Sequence, residues 1–201
     1  MRQRKKDQFH RLAKAKGFRS RASFKLLQVA KRYSFVKPGD HVLDLGSAPG
    51  GWLQAARQLV GANGFVLGVD LETVSPLQFE NVSTIKADIT QEGALDEIKR
   101  TAPGMFNVLL SDLSPNVSGV WEVDHARQIE LARCALRVAS KILQPSGSML
   151  VKVFQGRELR DFQLEMKSLF RVLRIVKPPA SRPESAELYF LGLGFRGQIA
   201  Q

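Results

Sequence analysis

Cysteine is nearly missing from this chain: its 201 residues hold one, Cys134. That excludes an intramolecular disulfide and a cysteine-built zinc site. Cys134 stands among Leu131, Ala135 and Leu136 in a helical pattern, where a small buried hydrophobe is expected. His10, His41 and His125 lack metal-ligand spacing, so no metal is expected. No apolar run is long enough to span a bilayer, and the basic N-terminus has no apolar stretch of the signal-peptide kind. A soluble, cytoplasmic protein without membrane attachment is expected. The glycine-rich loop from Gly46 to Gly51 does not match G-x-G-x-x-G, and no G-K-[ST] occurs, which argues against dinucleotides and ATP. Acidic residues are scarce at one end only. Residues 1–40 hold thirteen Lys and Arg against Asp7 and Asp40, whereas the rest of the chain holds seventeen basic and seventeen acidic residues. The net charge of +11 therefore sits in the first fifth of the sequence, where it attracts polyanions through counterion release.

What is present centres on Asp44-Leu45-Gly46-Ser47-Ala48-Pro49-Gly50-Gly51-Trp52. The apolar run His41-Val42-Leu43 precedes it and the helix-like run Leu53 to Val60 follows. Strand, glycine-rich turn and helix in this order let backbone N–H groups approach a ligand closely. In an α/β protein that position, at the carboxyl end of the first strand, is where a nucleotide-like cofactor sits.

Residues 1–19 read as a flexible basic arm that orders on RNA. Residues 20–201 read as one domain, opening with a helix over 20–33 that Ser20 caps. Strand patterns follow at 41–46, 65–71, 83–88, 105–111, 148–154, 171–177 and 186–193, with helices at 51–60, 93–101, 125–143 and 157–170. In the third of these helices Ile129, Ala132, Leu136, Ala139 and Leu143 form one apolar stripe. The alternation predicts an α/β fold, a mostly parallel seven-stranded sheet with helices on both faces. Pro178 to Ser185 is too short for a crossover helix, so the last two strands should pair as an antiparallel hairpin. A parallel sheet that ends this way is the pattern of Rossmann-like S-adenosylmethionine-dependent methyltransferases. The strand-end acids fit that cofactor: Asp70 for ribose hydroxyls, Asp88 near an adenine edge, Asp112 close to the positively charged end.

Five segments carry a resemblance to a known family: Ser20 to Leu26, Asp44 to Trp52, Ser111 to Asn116, Leu150 to Gly156, and Ser181-Arg182 with Ser185 to Tyr189. Together they resemble the FtsJ/RlmE family of ribosomal RNA 2′-O-methyltransferases, over about Ser20 to Gly194. The resemblance implies a catalytic set of Lys25, Asp112, Lys152 and Glu187, and cofactor positions at Gly50, Trp52, Asp70, Asp88 and Asp112. It implies methyl transfer from S-adenosylmethionine to a uridine ribose in the 23S rRNA A loop, on the large ribosomal subunit, by a monomer that does not act on DNA. Lys152 stands inside an apolar strand, where a charge is costly unless paired or functional. Two roles stay open for it: a base that takes the 2′-hydroxyl proton, or an ammonium that stabilises the oxyanion. Methylation of a tRNA anticodon-loop ribose is the nearest alternative. A non-catalytic RNA-binding ribosome-assembly factor is the alternative of a different class.

Overall fold

A computed structural model describes residues 2–182 and 184–197, with side chains from residue 8 onward. In chain order the elements are α1 (Arg2–Ala15), α2 (Ser23–Tyr33), β1 (His41–Leu45), α3 (Gly51–Val60), β2 (Phe65–Asp70) and β3 (Val82–Lys86). There follow α4 (Gly93–Thr101), β4 (Phe106–Ser111), α5 (Trp121–Ile142), β5 (Leu143–Phe154), α6 (Leu159–Leu169), β6 (Phe170–Val176) and β7 (Glu187–Phe195). The strands form one seven-stranded sheet in the order β3-β2-β1-β4-β5-β7-β6. Pairings from β3 through β5 are parallel, and β7 runs antiparallel to both of its neighbours.

The central strands are almost continuously apolar because both faces are covered. On one face Leu26 and Val29 of α2 and Leu53 and Val60 of α3 pack against Val42, Leu150 and Leu191. On the other, Ile98, Ile129, Phe162 and Met166 meet Leu43, Leu109, Val151 and Phe190. The edge strands β3 and β6 are the exposed ones. Helix α6 carries the chain from β5 past the width of one strand, and β7 returns to fill that slot.

Several boundaries depart from the sequence reading. Ser20 does not cap α2, which begins at Ser23 with Ala22 at the capping position and no side-chain bond there. Instead Ser23 Oγ donates to the carbonyls of Ser20 and Gly51, so its hydroxyl ties α2 to the start of α3. Helix α5 starts four residues earlier than expected, at Trp121. The Asp124 carboxylate accepts bonds from Ser118 N, Ser118 Oγ and Gly119 N, which fixes the preceding turn and lets the helix begin inside exposed apolar sequence. Strand β5 starts at Leu143, ahead of the expected 148, with a register irregularity opposite Phe106 and Val108. Where the sequence suggests an arm over 1–19, the structure has α1. Ala13 in its last turn is buried, and Phe9 and Phe18 stand 5.7 and 5.6 Å from Phe24 of α2.

Candidate active site

The carboxyl ends of β1, β2 and β4, with the loop after β3, open onto a cavity of about 350 Å³. Asp70, Asp88 and Asp112 all line it, so the strand-end acids are brought together. Gly46 shares the wall; its φ of +79° is a left-handed conformation, and a Cβ there would stand 3.0 Å from Leu113 N. Asp70 accepts from Ala48 N at 2.8 Å and Glu72 N at 2.9 Å, which holds the loops after β1 and β2 together. Each Asp70 oxygen has a second lone pair left for a ligand. Asp88 Oδ1 accepts from Thr90 N and Thr90 Oγ1, and these bonds hold its carboxyl below the usual carboxylate range. Val69, Ile89, Leu113 and Leu131 give the cavity an apolar side suited to a flat heterocycle.

Gly50 and Trp52 do not line this cavity. Gly50 has φ +106°, and a Cβ on it would come within 3.0 Å of Arg19 Nη1. That guanidinium donates to the carbonyls of Pro49, Ser75 and Pro76. Trp52 is buried; its Nε1 donates to Ala22 O and its ring centroid is 5.8 Å from that of Tyr189.

Lys25, Asp112, Lys152 and Glu187 come together on the α2 side of the sheet. The β5–β7 register places Lys152 opposite Tyr189 and Phe154 opposite Glu187, and strand alternation puts all four on one face. Lys152 Nζ donates to Asp112 O at 2.8 Å and stands 3.3 Å from Asp112 Oδ1. Lys25 Nζ reaches down from α2 to Glu187 Oε2 and to Tyr189 Oη, each at 3.1 Å. Tyr189 Oη donates to Asp112 Oδ1 at 2.8 Å. The polar chain thus runs Glu187, Lys25, Tyr189, Asp112, Lys152, and Lys152 is only 5% exposed at its side chain. Both lysines are paired, as charges so far from water must be.

Sequence reasoning missed Tyr189 as a member of the site. Its signal was available: in an extended strand Tyr189 shares a face with Glu187, two residues before it. Burial, then the Asp112 carboxylate, raise its phenol well above the ordinary value, so it stays protonated and bridges Lys25 to Asp112. Asp44 is a second unanticipated group. It is wholly buried in β1, neither of its oxygens has a hydrogen-bond partner, and burial, followed by Asp112 and Asp70, raises its carboxyl well above the usual range.

A mostly parallel seven-stranded sheet with one antiparallel strand, and a cofactor-sized cavity at the carboxyl ends, is the methyltransferase form of the Rossmann-like fold. Two solved structures share it. A Plasmodium falciparum protein described as a ribosomal RNA methyltransferase aligns with a TM-score of 0.79 at 24% identity, covering 90% of this chain and all of its own. The Methanococcus jannaschii fibrillarin pre-rRNA processing protein aligns at 0.61 and 15% identity, over 88% of this chain and 77% of its own. Residues 18–195 match the FtsJ-like methyltransferase family, and the chain belongs to it. Among curated relatives, ribosomal RNA large subunit methyltransferase E of Methanothrix thermoacetophila is 49% identical over 187 residues, 93% of this chain and 72% of the relative. Its counterpart in Methanocaldococcus jannaschii is 46% identical over 199 residues, 98% of this chain and 81% of the relative. The protein is a methyltransferase.

Proposed function

We propose that this enzyme methylates the ribose 2′-hydroxyl of RNA with S-adenosylmethionine as donor, and that its target is a uridine of the 23S rRNA A loop in the large ribosomal subunit. It works as a cytoplasmic monomer. One observation carries the reading: Asp112 belongs to two places at once, lining the cavity and bonding Lys152 and Tyr189. Whatever sits in the cavity is thereby held next to the paired lysines.

The cavity suits the donor. Its carboxylates match a cationic ligand with a ribose, and its apolar wall matches adenine. When bound, S-adenosylmethionine supplies an already activated methyl group. The residues of the chain then have two tasks, alignment and proton removal. Asp70 would accept from the cofactor's ribose hydroxyls, Asp88 would hold the adenine edge, and Asp112 would face the positive end. Gly50 and Trp52 would shape the loop behind the cofactor rather than touch it, Gly50 N donating to Ser47 O and Trp52 bonding Ala22 O. In its neutral form Lys152 Nζ would take the proton of the 2′-hydroxyl as that oxygen accepts the donor's methyl group. Asp112 fixes Lys152 through its backbone and side-chain oxygens. Lys25, positioned by Glu187 and Tyr189, offers positive charge to the developing oxyanion.

Labelled S-adenosylmethionine offered with large subunits, naked 23S rRNA or tRNA tests this directly. Label in large-subunit rRNA is the expected result. Label on tRNA alone would move the target, and label on none would overturn the reading. Lys152→Ala should lower kcat by roughly 10²- to 10⁴-fold, the ordinary contribution of a positioned base. A Lys152→Arg enzyme that keeps its rate would instead assign the residue an electrostatic role.

A further inference from the structure

We infer that Trp121, stacked on Phe154, is the platform on which a base at the target site of the RNA is held while its ribose is methylated. The inference rests on the RNA reading of the catalytic site. Its foundation is strand geometry. Phe154 lies two residues beyond Lys152 on β5, on the same face and about 6.6 Å along the strand, and it pairs in register with Glu187. The Trp121 ring lies nearly parallel to Phe154, with centroids 5.9 Å apart and planes at 17°. It also lies along the His125 ring, at 6.5 Å and 22°. Phe154 and His125 are buried, whereas Trp121 is 45% exposed.

Val117, Val120 and Val123 are exposed beside this indole in sequence, an apolar grouping of the kind that marks an interaction site, and the indole itself is held firmly in place. Asp124 pins the turn before it through Ser118 and Gly119. His125 is fixed beneath it because its Nε2 accepts from Glu158 N, and because Gly156 leaves room where a Cβ would strike the imidazole. The platform is therefore assembled before any ligand arrives. Exposed Arg127 on α5 and Arg157 just after β5 flank it in sequence with positive charge. Indole beside arginine is the usual equipment for holding an unstacked base, and every base has a π-face to offer. A ribose whose 2′-hydroxyl meets Lys152 has its own base, or its neighbour's, within reach of Trp121.

The chain has two tryptophans, and the buried Trp52 lies against Tyr189, so the share of an RNA-dependent emission change that is lost in Trp121→Ala belongs to Trp121. The probes are an A-loop stem-loop RNA and versions with a single abasic ribose at the target nucleotide or at either neighbour. Binding of the intact stem-loop should quench emission. One of the abasic RNAs should bind the wild type about 5- to 100-fold more weakly, the range expected for the loss of one base stack. Trp121→Ala should bind intact and abasic RNA alike, raise KM for the RNA and leave KM for S-adenosylmethionine unchanged. Trp121→Phe should recover most of the difference, which a merely structural role would not require. Unaltered melting of Trp121→Ala checks that its fold is intact. An abasic penalty that persists in Trp121→Ala, or that is missing in the wild type, overturns the platform while methylation of stem-loop or large subunits still upholds the underlying function. Methylation of no RNA overturns both.

Discussion

Asp44 stands in the middle of the sheet with both carboxylate oxygens unpartnered, a situation tolerable only if the group is neutral. Burial raises its folded-state pKa above the unfolded value of about 3.9. Between those two values the folded protein binds more protons than the unfolded chain, so this residue's contribution to stability falls as pH rises. Asp44→Asn removes the titration. Its melting temperature should therefore gain on the wild type as pH increases from about 4.5 to 8, and a constant difference would contradict the assignment. Tyr189 is the other residue whose environment decides its chemistry. As a phenol it accepts from Lys25 and donates to Asp112. Tyr189→Phe leaves both partners short of a hydrogen bond, a loss of about 1–2 kcal/mol. In a single-turnover assay that amounts to a roughly 10-fold lower rate, with the fold intact by circular dichroism. Asp44, though part of the glycine-rich motif, gave no sign of its isolation in the sequence, because the absence of a partner is a property of the packed sheet.

Among the elements, α6 is anchored through few side chains, Phe162 and Met166 being its buried ones. Phe162 stacks on Phe190 of β7, centroids 5.9 Å apart and planes at 10°, so this helix and the antiparallel strand hold one another. Phe162→Ala should cost about 3–5 kcal/mol in urea unfolding. Because β7 carries Glu187 and Tyr189, catalysis should fail at lower urea than in the wild type. Helices α3 and α4 and the antiparallel hairpin were legible in the sequence, since each has a clear period or a short connection that leaves one pairing open. The start of α5 was not. Its first turn exposes Trp121 and Val123 and buries Asp124, contrary to amphipathic patterning, and it is secured by the Asp124 carboxylate through hydrogen bonds that no periodicity reports.

Across the whole molecule, the charge asymmetry of the sequence becomes a spatial one. The last turn of α1 packs through Ala13 and Phe9 onto Phe24, the residue next to Lys25. The end of α1 is thus fastened beside Lys25. Lys14 and Lys16 are exposed there. Replacing both with Gln should weaken RNA binding. It should also flatten the plot of log affinity against log salt, by up to ~0.9 for each phosphate the arm no longer neutralises. The turnover rate at saturating RNA should not change, which steady-state assays over a salt series would verify.

The sequence by itself determined the order of strands and helices, the antiparallel hairpin and the glycine turn, which follow from local period, backbone freedom and a connection too short for a crossover helix. Its family resemblance named Lys25, Asp112, Lys152 and Glu187 as the candidate set. Tertiary structure alone decided which groups touch. It joined Tyr189 to Asp112 across residues far apart in the chain, turned Trp52 away from the cavity, isolated Asp44, and laid Trp121 on Phe154. Such pairings depend on which strands become neighbours and on how two helical layers pack on the sheet, and both bring together residues far apart in the chain.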